Sequence, residues 1–330
     1  MTYIDFKENS LKKILYITRH ASRCGVHDYG EKIVEILKKS NKFKFIFGYP
    51  KNQKEFLDLV FQNNPDAVFY NYYPSTLYWI NEHTKSIIEI PQIIIYHEAS
   101  VPFSPDGICS VDSTGKDDDA KNLVHLPRPL HENFVRTEFL NYDCPVIGSF
   151  GFGFPNKNFP KIAELVKNQF DNAVLRLSIP FAEFGDNDGR SAYNEVSKVK
   201  KILENSNITL EVNHNFLDQN QLLDFLANND LNVFCYDSMP GRSISACTDY
   251  ALSVKKPIAL SRSNMFNHFH KYNLDIYVDE TPFKTIIEKG VEQLQPMYNE
   301  HCNSNILEKI EAVVSAAIAK GSKNNSWIKF

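Results

Sequence analysis

Short apolar runs recur along the whole chain, each followed by a polar turn and then by a helical apolar stripe. Residues 13–18, 43–48, 66–70 and 92–97 read as buried strands, and residues 26–39, 54–62 and 74–81 as the helices between them. In the first helix Ile33, Val34, Ile36 and Leu37 form the stripe. Shorter strands are expected at 108–112 and 122–126. The cycle restarts with strands at 145–150, 173–179 and 208–212, alternating with helices at 159–170, 191–204 and 218–227, the last capped by Asp218. Strands that alternate with helices bury both faces of a parallel sheet, because the crossovers lay the helices on those faces. The pattern therefore predicts an α/β fold. A strand at 274–278 and helices at 282–294 and 305–319 complete the reading.

Two domains fit 330 residues, and 43% hydrophobic content fills two cores. Pro127-Arg-Pro129 interrupts regular structure just before the second cycle, which places an N-terminal domain over 1–140 and a C-terminal one over 141–305. A net charge of -4 gives no basic field for nucleic acid. The six cysteines (Cys24, Cys109, Cys144, Cys235, Cys247 and Cys302) are scattered without CxxC spacing, which disfavours zinc and thioredoxin-type chemistry and suits a reducing cytoplasm. The first ten residues are polar, unlike a secretory signal, and no apolar stretch approaches the roughly 20 residues of a membrane helix. A peripheral membrane contact stays open.

In open parallel sheets ligands sit at the carboxyl ends of strands. The segment 230–261 is one strand–loop–helix–strand unit, with a helix expected over 243–253. At its start Ser243 and the orphan amides of Ile244 and Ser245 would favour a phosphate, and Arg242 could add a fork of donors. Gly151-Phe-Gly-Phe-Pro-Asn-Lys-Asn158 opens the second cycle. Gly151 and Gly153 allow close backbone approach to a diphosphate, and Lys157 would neutralise its charge. In the first cycle the loop 19–30 carries Gly25 and His27, and His97-Glu98 follows the fourth strand. His97 could bond substrate hydroxyls or act as a base near neutral pH. A plain counterpart stands beside each reading: a helix-entry loop, a satisfied structural histidine, and a Pro-Asn turn with a solvated lysine. Asp117-Asp-Asp119 reads as a solvated turn, and no metal site is expected.

These loops resemble those of the GT-B-fold glycosyltransferases, specifically the retaining, family-4-like group. The likeness is strongest in 145–162 and 230–261. It implies two Rossmann-like domains facing across a cleft, with 306–330 as a closing helix and tail that packs back on the N-terminal domain. It also implies that Lys157 binds the donor diphosphate and that Asp249, in Asp249-Tyr-Ala-Leu-Ser-Val-Lys-Lys-Pro257, holds the ribose hydroxyls. Phe152 stands roughly where members of the group carry an arginine, and their first glutamate has no counterpart here.

The function so implied is sugar transfer from a nucleotide-sugar to a glycan, lipid-linked or small acceptor, with retention and without metal or other cofactor. His97 and Asp249 are the catalytic candidates. Gly151, Gly153, Lys157, Arg242, Ser243, Ile244 and Ser245 are the donor-side candidates, and Gly25, His27 and Glu98 the acceptor-side ones. The two departures motivate an alternative, a non-catalytic nucleotide- or sugar-binding module on the same scaffold. A sugar-nucleotide epimerase is a third reading.

Overall fold

The computed structural model describes residues 11–19, 25–97, 102–111, 119, 122–183, 185–240 and 244–324. The chain divides into two compact units. One comprises the residues up to Pro129 together with those from Asn303 onward, and the other runs from Leu130 to Cys302.

The first unit is built from β1 (Lys12–Ile17), α1 (Gly25–Leu37), β2 (Phe43–Gly48), α2 (Gln53–Asn63), β3 (Ala67–Tyr72), α3 (Glu82–Ile87), β4 (Gln92–Tyr96), β5 (Gly107–Ser110) and β6 (Leu123–His125). Its strands are parallel, in the order β2-β1-β3-β4-β5-β6. Ile14, Tyr16, Phe69 and Ile95 pack on one face against Ile33 and Leu37 of α1. Leu15, Ile17, Tyr70 and Ile94 pack on the other against Phe56, Leu77 and Trp79. Burial on both faces is why the strands read as unbroken apolar runs. The C-terminal helix Asn303–Asn324 belongs to this unit: Ile306, Ile310 and Val313 enter the α1 face of the core, and Lys309 Nζ donates to the His125 carbonyl at 3.0 Å.

The second unit contains β7 (Val146–Phe150), α4 (Phe159–Gln169), β8 (Ala173–Ser178), α5 (Arg190–Leu203), β9 (Ile208–Asn213), α6 (Gln219–Ala227), β10 (Leu231–Phe234), α7 (Cys247–Ser253), β11 (Ile258–Leu260), α8 (Asn267–His270), α9 (Phe283–Lys289) and α10 (Gln295–His301). Its sheet is also parallel, in the order β11-β10-β7-β8-β9. Asp218 caps α6 as expected, in a reciprocal box with Gln221.

Four expected elements differ. The helix expected over 282–294 ends at Lys289, where Gly290 turns with a φ of 63°, and a separate 3₁₀ turn follows at Glu292–Leu294. Residues 74–81 form turns, because the capping box of Asn81 and Thr84 sets the helix start at Glu82 while Leu77 and Ile80 fill the core. The helix expected over 243–253 begins only at Cys247. The strand expected over 274–278 is a single bridge, Tyr277 to Leu260. Its partner β11 is three residues long, and the Leu274 and Asp275 amides bond elsewhere, to the Tyr272 carbonyl and Gln293 Oε1.

Candidate functional site

In the second unit two of the expected loops meet at the carboxyl edge of the sheet. β7 ends at Phe150 and β10 at Phe234, and the parallel ladder puts both ends on one side. After β7 the chain turns at Gly151, whose φ of 150° disfavours any side chain. It then makes one 3₁₀ turn, Pro155–Lys157, and enters α4 through Asn158 in the left-handed region. The Asp237 amide donates to the Asn156 carbonyl at 2.9 Å, and Asn158 Nδ2 donates to Asp237 Oδ1 at 2.6 Å. These bonds tie the β7 loop to the β10 loop. The latter is tied in turn to the segment after β11, where Ser263 Oγ donates to the Asp237 carbonyl and Asn264 exchanges two bonds with the Met239 backbone.

Lys157 is held at the centre of this junction. Its ammonium lies 3.6 Å from the centroid of the Tyr236 ring. Burial pushes the Tyr236 phenol well above its ordinary pKa, and the phenol meets both Cys247 and Ser245. Burial likewise pushes the Cys247 thiol up to about 11, against the pull of the nearby Lys157 charge. Lys157, Tyr236, Ser245 and Cys247 therefore form one continuous group. Asp249 lies two residues further into α7, 1% exposed, with its charge felt at Cys247.

The expectation of an orphan amide at Ser245 is corrected. The Ser245 amide donates to the Met265 carbonyl at 3.2 Å, so it is committed to the protein's own backbone. α7 begins at Cys247, and Ser245 Oγ accepts from the Cys247 amide. Ile244 is 9% exposed. Arg242, Ser243 and Glu98 lie outside the described residues.

Gly153 serves packing. A Cβ there would fall 2.3 Å from the Ala192 Cα, so only glycine lets the loop rest on the first turn of α5. Ser191 Oγ donates to the Gly153 carbonyl, and the Asp186 carboxylate accepts from the Ser191 and Ala192 amides at 2.7 and 3.0 Å. The N-terminus of α5 is thereby filled by the protein's own anion.

A cavity of 580 Å³ lies at the opposite edge of this sheet, lined by Leu130, Phe134, Leu252, Lys255, Lys256 and Tyr298. It adjoins the C-terminal ends of α6 and α7. Among the described residues no group of three or more His, Cys, Asp or Glu is placed to hold a metal ion, and no helix is long and apolar enough to cross a membrane.

In the first unit, His97 follows β4 at the carboxyl edge and is 8% exposed. Its Nε2 lies 2.6 Å from Asn71 Oδ1, and its ring packs edge-on against Tyr29 at 4.8 Å. Burial, reinforced by the Arg128 charge, pulls its pKa down to about 3. It is neutral at physiological pH, so the expectation of a base titrating near neutrality is corrected. His27 lies in the first turn of α1 with Nδ1 3.0 Å from the Arg19 carbonyl and 3.9 Å from Glu31. Gly25 opens that helix, exposed, with open space where a Cβ would stand. The structure thus gathers α1 and the ends of β1, β3 and β4. The sequence reading missed Thr18, Asn71, Tyr29 and Arg128 as members of this group. The available signal was Asn71, a polar side chain inside an otherwise apolar strand.

No family model and no curated protein matches the chain. Solved structures do. The crystal structure of Anabaena HepE in complex with UDP and glucose is 12% identical, covering 96% of this chain and 100% of that one with a TM-score of 0.55. AviGT4, a glycosyltransferase involved in avilamycin A biosynthesis, is 12% identical over 94% of this chain and 98% of its own, at 0.62. A glycosyltransferase from Rickettsia africae is 12% identical over 93% and 99%, at 0.62. The α/β fold with two parallel sheets is that of the GT-B glycosyltransferases.

Proposed function

We propose that this chain transfers a hexose from a nucleotide-sugar to an acceptor hydroxyl, with retention at the anomeric carbon. The observation that carries the reading is the junction of Lys157 with Tyr236 and the start of α7 at the carboxyl edge of the second sheet. Two structural neighbours, HepE and an α-glucosyltransferase, were solved with UDP or UDP-glucose, and a third with UDP-2-fluoro-glucose, which supports a uridine diphosphate donor.

Each residue then has a task. The leaving diphosphate develops charge as the glycosidic bond breaks, and the Lys157 ammonium stabilises it. Gly151 lets the backbone approach that diphosphate. Asp249 takes the ribose hydroxyls, as the resemblance implies. Neutral His97 offers a hydrogen bond to a hydroxyl on the acceptor side, with Gly25 and His27 beside the same edge. The scattered cysteines favour a cytoplasmic setting.

The test is transfer from a panel of nucleotide-sugars to a panel of sugar acceptors, with the anomeric configuration of product read by NMR. Transfer from UDP-hexose with retained configuration supports the reading. Isomerised donor without acceptor, or UDP binding with neither transfer nor hydrolysis, contradicts it.

A further inference from the structure

We infer that Asn71 is a positioning residue that fixes the tautomer of His97, so that Nδ1 is the ring nitrogen offered to a hydroxyl. The functional part of this inference rests on the transferase reading; the tautomer itself does not.

The argument begins with an amide that has only one possible orientation. Asn71 is 1% exposed, at the carboxyl end of β3. Its Nδ2 donates to the Val26 carbonyl at 2.8 Å and to Thr18 Oγ1 at 3.0 Å. A carbonyl only accepts, so the nitrogen of the amide must face Val26 and the oxygen must face His97. At 2.6 Å from that oxygen, His97 Nε2 must carry a proton. The ring is neutral, so its lone pair sits on Nδ1. The titratable and charged groups facing the ring are Tyr29 from α1 and Arg128 from the segment after β6. Arg128 is a cation and offers no acceptor, and the Asn71 oxygen lies within hydrogen-bond distance of Nε2 at 2.6 Å.

Gly30 shows that the arrangement is built in. A Cβ at residue 30 would stand 2.5 Å from both Asn71 Nδ2 and Thr18 Oγ1. Only glycine leaves room for the Thr18–Asn71 pair, although glycine inside a helix costs about 1 kcal/mol relative to alanine. The chain accepts that cost in the middle of α1.

His97 therefore accepts a hydrogen bond through Nδ1 and moves no proton near neutral pH. Asn71 is 1% exposed and acts through the ring.

The test is a long-range ¹H–¹⁵N correlation spectrum of the full chain with labelled histidine, the His97 signals being identified from a His97→Gln variant. The expected spectrum is a pure Nε2–H tautomer, unchanged from about pH 5.5 to 8. An Nδ1–H tautomer, or a ring that titrates in that range, overturns the inference whether or not the protein transfers sugar. Asn71→Leu is expected to mix the tautomers and to lower kcat about 10-fold, the scale of one misplaced hydrogen bond. Thr18→Val should keep the tautomer, since the Val26 carbonyl still orients the amide. If Asn71→Leu does not fold, the wild-type and Thr18→Val spectra decide alone. A folded Asn71→Leu with an unmixed Nε2–H ring contradicts the positioning role.

Discussion

The Lys157 ammonium faces the Tyr236 ring at 3.6 Å, which couples the loop after β7 to the end of β10. An ammonium presented on an aromatic face keeps its charge while its direction is fixed. That is the state a diphosphate-binding lysine needs before its ligand arrives.

Tyr236 is 3% exposed, and its ring packs against Phe234 and Phe266. Tyr236→Ala should cost about 3–5 kcal/mol in chemical denaturation, as other large core truncations do. Tyr236→Phe keeps the ring under Lys157 and should stay within about 1.5 kcal/mol of wild type. Equal losses for the two would show that the phenol, not the ring, supports the junction.

Gly153→Ala places a methyl group 2.3 Å from backbone of α5, where no flexible side chain can yield. The expected loss is about 1–3 kcal/mol, with UDP affinity falling as the loop is pushed from α5. Thermal unfolding and a UDP titration of the same sample check both. Wild-type stability in Gly153→Ala would refute the packing account.

Asp186 fills the N-terminus of α5 through two backbone amides. Asp186→Ala should cost about 1–2 kcal/mol, the range of a lost helix cap. An unchanged denaturation midpoint would contradict this.

His97 predicts a pH dependence of stability. Its folded pKa of about 3 lies below the ordinary 6.5, so the unfolded chain binds more protons between those values. The stability that neutral His97 contributes is complete above about pH 6.5 and is lost progressively as pH falls toward about 3. Carboxylates held low by partners, such as Glu300, lose stability in acid as well. The informative quantity is therefore the difference between wild type and His97→Gln, which should narrow as pH falls through that window. A constant difference would contradict the buried neutral ring.

The layers of the fold were legible because strands buried on both faces cannot hide their apolar character: Ile14 to Ile17, Ile93 to Ile95 and Leu231 to Phe234 are all buried. The site was legible only in part. Lys157 and the turn at Gly151 follow from local chemistry, since both sit between a strand and a helix. The fate of the Ser245 amide depends on Met265, twenty residues away, and no local pattern announces that bond. Asn71 stands out as a polar residue in an apolar strand, but neither its partner nor the role of Gly30 is visible within its own element. Their meaning arises from β3 lying beside β1 under the first turns of α1, which is a tertiary fact.

The most direct measurement is isothermal titration of UDP into the full chain and into Lys157→Ala, with fold verified for both. The account predicts saturable one-site binding to wild type, weakened about 10- to 100-fold in the variant, which corresponds to roughly 1.4–3 kcal/mol for a hydrogen bond to a charged group. No binding to folded wild type, or equal affinity for the two proteins, would contradict it.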